Sequence, residues 1–242
     1  MSMEKSLTIA TKEWTVLRRT RSIFAYTIGL PLFISIIFSL YVSNLAASGL
    51  PSDYSLGLTM LTFVFVILAA VLPGSIAAYS IVGEKVEKSL EPLLATPATD
   101  DEILLGKSIA AFVPPMLATW AGASIFMAAT DYVTFGSLSF YYFPNWISGI
   151  MLLILAPLSA LFGIELAVLA SSRLGDVRAA NQIAGLVYLP FLFVFVAGAT
   201  GVITLNVDNL LAFSGILLII DLFLFYLSRE TFKREEILTK WK

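Results

Sequence analysis

"EILLGKSIAAFVPPMLATWAGASIFMAA", Glu102 to Ala129, begins like one kind of protein and continues like another. Gly106-Lys107-Ser108 matches the end of a phosphate-binding loop. The full pattern, G-x-x-x-x-G-K-[ST], needs a first glycine so that backbone N–H groups can curl around the phosphates. Asp101 stands at that position, and its carboxylate would repel them. Such a loop also follows a strand and opens a soluble helix. Here the motif runs into about twenty apolar residues, enough to cross a bilayer. The stretch therefore reads as a chain re-entering a membrane, with Lys107 reaching back to the headgroups.

The rest of the sequence agrees. Of 242 residues, 58% are hydrophobic and 13% charged, and the mean hydropathy is +0.89, which places the chain among membrane proteins. It has no Cys and no His. That removes disulfides, thiol chemistry, the commonest metal ligand and the commonest general base. Six apolar runs are candidate spans: 22–43, 57–82, 108–130, 146–170, 181–204 and 210–228. The first lacks the short apolar core of a cleaved leader and reads as an anchor.

All fifteen Lys and Arg fall in four segments, 1–21, 83–107, 171–180 and 229–242. The three intervening connections hold none, so the positive-inside rule places both termini and the 83–107 segment in the cytoplasm. The expected architecture is one all-α transmembrane domain over 1–242, with six helices. An amphipathic helix over 1–21 would lie on the inner membrane surface, with Leu7, Ala10, Trp14 and Leu17 on its apolar face.

Prolines interrupt five spans (Pro31, Pro73, Pro114 with Pro115, Pro157 and Pro190) and should bend them. In the fourth span Ser159, Gly163, Ala167 and Ser171 recur every four residues, a stripe that lets backbones approach closely, within the chain or at a dimer seam. Tyr141, Tyr142, Phe143 and Trp146 suit the outer aromatic belt. There is no convincing internal repeat.

The longest internal cytoplasmic segment is "GEKVEKSLEPLLATPATDDEILLGK", Gly83 to Lys107. It reads as two short helices. Ser89 caps the first, with Pro92 in its first turn and Leu90, Leu93 and Leu94 on one side. Thr99 and Glu102 form a capping box for the second, with Asp100 and Asp101 at the positive end of its dipole. That second helix continues into the third span.

This segment resembles permease subunits of ABC transporters of type 2, the exporter-like class. The matching residues are Glu84, Lys85, Glu87, Ser89, Leu90, Glu91, Leu93, Leu94, Thr96, Pro97 and Glu102 to Lys107. Lys88 and Pro92 depart from the family's usual Gly and polar helix former. The resemblance implies that 83–107 is a coupling segment that docks on a separate ATPase subunit. Leu90, Leu93 and Leu94 would fill a groove, and Glu84, Glu87 and Glu91 would meet basic residues at its rim, with Thr96 and Pro97 closing the motif. ATP and Mg would be bound by that partner, and this chain would hold no cofactor and perform no chemistry. The other implied partners are a second permease, identical or similar, and the lipid of a prokaryotic cell membrane; nucleic acid is not among them.

Two acids lie inside spans. Glu165 precedes Arg173 by eight residues, and Asp221 precedes Arg229 by eight, which suggests similar depths. One reading is a cation or proton site, or a polar wall of an export path. The other is a hydrogen bond between helices, to Asn181, Gln182 or a tyrosine. Two rival functions therefore stay open: a secondary transporter or channel using Glu165 and Asp221, and an assembly protein with the permease fold that transports nothing.

Overall fold

A computed structural model describes residues 3–86, 98–173, 182 and 185–231. Among them every regular element is helical. The elements are α1 (Met3–Arg19), α2 (Arg21–Ser48), α3 (Tyr54–Val86), α4 (Asp100–Leu138) and α5 (Trp146–Ile150). A π-helical turn (Met151–Leu155) joins α5 to α6 (Ala156–Arg173), and α7 (Tyr188–Ala199) and α8 (Val207–Thr231) follow. Five of these helical stretches are long and apolar enough to cross a membrane: α2, α3, α4, α5 through α6, and α8.

Of the expected fifth span, 181–204, the structure describes residue 182 and those from 185 on, and there it forms α7, whose 12 residues rise about 18 Å. Two residues explain its ends. Pro190 lies in the first turn, where its missing N–H costs nothing. Beyond the C-cap Thr200, Gly201 takes φ +73°, and the chain folds back so that the Ile203 N–H reaches the Ala197 carbonyl at 3.0 Å.

The long helix α3 is the centre of the bundle and packs on α4, α6 and α7, while α2 lies along α4 and α8 along α6. The seam between α3 and α6 is the small-residue stripe. A Cβ at Gly163 would sit 2.0 Å from the Ala70 carbonyl oxygen, and one at Gly74 would sit 2.9 Å from that of Gly163. Ser159, Ala167 and Ser171 are buried beside it. The stripe is thus an intramolecular contact, in which absent side chains bring two backbones together.

The π turn has a local cause. The Ala156 N–H reaches back five residues to the Met151 carbonyl. In that register the partner of the Leu152 carbonyl would be Pro157, which has no N–H to give. The Trp120 indole N–H donates to the Leu152 carbonyl instead, at 2.8 Å. A backbone acceptor freed inside the apolar core is satisfied by a side chain from α4, as a dry interior requires.

At the end of the bundle opposite α1, Asp131 of α4 accepts the N–H groups of Tyr142 and Phe143 at 2.9 and 3.0 Å. This pins the connection down and turns Phe143 inward against Phe126. Tyr141 and Trp146 are exposed and Phe143 is buried. The aromatic segment therefore divides between surface and core, where the sequence suggests a uniform belt.

Candidate functional site

Most of the expected coupling residues, Glu87, Leu90, Glu91, Leu93, Leu94, Thr96 and Pro97, lie outside the described residues, and Glu84 is described only as part of the last turn of α3. What can be built is the base on which they stand. One stem is the end of α3. The other is the start of α4, which opens with the capping box expected from sequence. The Glu102 N–H donates to the Thr99 hydroxyl at 3.3 Å, and the Thr99 N–H donates to the Glu102 carboxylate at 3.0 Å. Asp100, Asp101 and Glu102 fill that first turn, where the helix dipole favours negative charge.

The first helix is packed against these stems, and its orientation corrects the sequence reading. The residues it buries are Ser6, Ile9, Ala10, Glu13 and Leu17. Leu7 is 46% exposed, and Trp14 donates its indole N–H to the Ala110 carbonyl of α4 at 3.2 Å. Ile9 and Leu17 join one apolar cluster with Ile76 and Ile81 of α3, Ile103 and Leu104 of α4, and Ile164 of α6. The face is rotated by about one residue from the expected stripe because its partner is protein as well as apolar surface.

Gly106 and Lys107 make this approach possible. A Cβ at Gly106 would lie 2.7 Å from the Ser6 carbonyl oxygen and 2.8 Å from Ile9 Cβ. Lys107 does not snorkel to the headgroups. It is 2% exposed, and its ammonium donates to Glu13 Oε1 at 3.2 Å, to Ser80 Oγ at 2.9 Å and to the Ser80 carbonyl at 3.2 Å. Ser80 Oγ in turn donates to Glu13 Oε2 at 2.8 Å. A buried ammonium needs an opposite charge and further acceptors, and here α1 and α3 supply them. Removing one member of such a pair typically costs about 3–5 kcal/mol, because the other charge is left buried alone. Sequence reasoning missed Glu13 as a partner. The available signal was an acid at i+7 from Ser6 and i+4 from Ile9 on an otherwise apolar face.

A second link joins the same end of the bundle. Arg229 of α8 makes a bidentate pair with Asp101 of α4, at 2.8 and 2.7 Å. Both side chains are partly exposed, so the pair adds geometric order more than energy.

The intramembrane acids are buried, with Glu165 8% and Asp221 4% exposed. Glu165 Oε2 and both carboxylate oxygens of Asp221 have no hydrogen-bond partner among the described residues. The Ser228 hydroxyl of α8 donates to the Glu165 carbonyl of α6 at 3.4 Å. Among the described residues no three acidic side chains converge as a metal site would need.

A comparison with curated proteins gave no match. The family described as ABC-2 family transporter protein matches residues 7–229. That span takes in most of α1 and of the long apolar helices, through Arg229, so the match covers nearly the whole bundle. With this match, and with five helices among the described residues long and apolar enough to cross a membrane, the protein belongs to the ABC-2 family of transporter proteins, and is a multi-pass membrane permease of ABC-type transport.

Proposed function

We propose that this permease is the membrane subunit of an ATP-driven exporter, and that residues 83–107 receive the motion of a separate ATPase subunit. One observation carries the reading. The stems of that segment and α1 are joined by an apolar cluster and a buried polar knot, so a push on the segment meets a stiff base. Family membership supports the ATPase partner, which would bind the ATP and Mg. The segregation of Lys and Arg favours a cytoplasmic location for the segment and both termini. Two copies of the chain, or one with a similar permease, would complete the pathway across a prokaryotic cell membrane. The short connections at the opposite end leave little room to dock a soluble binding protein, which favours export over uptake.

The test is co-expression with a candidate ABC ATPase subunit. The complex should copurify and drive ATP-dependent loading of inverted vesicles. A complex that forms but moves no substrate across a broad panel would favour the assembly-protein alternative.

A second reading rests on the buried carboxylates of Glu165 and Asp221, whose Oε2 and both Oδ atoms meet no hydrogen-bond partner among the described residues. Buried acids in a membrane mark ion or proton pathways more often than other residues do. This reading makes them the polar wall of the export path, or the core of a secondary transporter that needs no ATPase.

A further inference from the structure

The knot beneath the coupling segment is more specific than a packing contact. A helix held only by lipid and apolar neighbours would keep a glutamate in water, yet Glu13 is buried against Lys107 and Ser80. Apolar residues could hold α1 at least as firmly, since buried ion pairs seldom add net stability. What a charge pair adds is register: it is satisfied at one rotation and one axial position of α1, and at no other nearby. Gly106 reinforces this, because its missing side chain lets α1 rest directly on α4. The three residues come from three elements. Ser80 is six residues before the end of α3, and Lys107 is the eighth residue of α4. They grip both described ends of the 83–107 segment at once.

We propose that Glu13, Ser80 and Lys107 are positioning residues of the coupling machinery, which lock α1 to the end of α3 and the start of α4 so that the three move together. Closure of an ATPase subunit on the 83–107 segment then moves three elements as one body, and α1 spreads the displacement across the bundle base. This inference rests on the exporter reading for its coupling role, but the lock itself can be tested on the permease alone.

The experiment uses E13K, K107E and the E13K/K107E exchange of charges, in lipid nanodiscs, with and without the ATPase subunit. In the permease alone, either single variant sets like charges together and should speed amide exchange in α1 by about tenfold or more, through local opening. The double variant should return it to within about threefold of wild type. In the complex, each single variant should copurify at the wild-type ratio yet lose permease-dependent ATP hydrolysis by about fivefold or more, and the exchanged pair should recover it. A merely structural role would lower yield without moving hydrolysis per assembled complex.

Unchanged exchange in α1 of the single variants overturns the lock. Loosened α1 with wild-type hydrolysis overturns its part in coupling. Where the single variants do not accumulate, the double variant decides: wild-type protection and hydrolysis support the proposal, and failure to recover either one overturns it. A wild-type chain that recruits no ATPase subunit sinks the exporter reading and the coupling role with it, while the exchange measurement still judges the lock.

Discussion

Trp120 donates its indole N–H to the Leu152 carbonyl at 2.8 Å, across the contact between α4 and the π turn. The bond exists because Pro157 cannot serve that carbonyl. Trp120→Phe keeps an aromatic ring there but leaves the acceptor unpaired. It should lower stability in detergent by roughly 0.6–1.7 kcal/mol, from the average to the upper end for hydrogen bonds between membrane helices. Pro157→Ala restores a backbone donor in the same helix, so in that background the Trp120→Phe loss should shrink. A thermal unfolding series over the four chains checks this, and strict additivity would refute the link.

The seam of α3 and α6 gives a steeper prediction. Gly163→Ala puts a methyl group against the Ala70 carbonyl, and backbone cannot move aside as a side chain can. The cost should be at least about 1–3 kcal/mol, as for other overpacked sites. Gly215→Ala, in α8, meets nothing within 4 Å and should be neutral or slightly stabilising. Comparing their melting temperatures in one detergent separates packing from helix propensity.

Much of this architecture is legible in the sequence, for physical reasons that differ by element. The long helices follow from the lengths of their apolar runs. The Thr99–Glu102 capping box and the Ser159–Gly163–Ala167–Ser171 stripe depend on residues three or four apart, so local spacing carries them. Hydropathy reports how apolar 181–204 is but not whether its helix is continuous. Within the described part, α7 carries Pro190 in its first turn and ends just before Gly201, details that the run of apolar residues conceals. The seat of α1 was illegible because Lys107 is 94 residues from Glu13, and no local period records so distant a charge.

For the intramembrane acids, Glu165→Gln and Asp221→Asn separate path from glue. If they line the export path, ATP-dependent transport should fall while copurification with the ATPase subunit stays at wild-type level. If they only join helices, turnover should persist, with stability changed by about 0.6 kcal/mol, the average for polar contacts between membrane helices. Wild-type transport in the double variant would end the path reading.

The orientation assigned from charge can be checked on a chain that has no native cysteine. Cysteines at Ser55, Ser139 and Asn206 should react with an impermeant thiol reagent added to intact cells. Those at Ser89, Ala179 and Thr239 should react only after permeabilisation. External labelling at Ser89 would invert the topology.

The most direct test of the central claim is the replacement of Leu90, Leu93 and Leu94 together by Ser. Each leucine buried in a partner's groove contributes roughly 1.5–3 kcal/mol, so their loss should abolish copurification of the ATPase subunit. These residues lie outside the apolar runs of the sequence, so the permease should still insert and purify, and the isolated ATPase subunit should keep its basal hydrolysis. Copurification at wild-type yield with permease-dependent ATP hydrolysis intact would contradict the account.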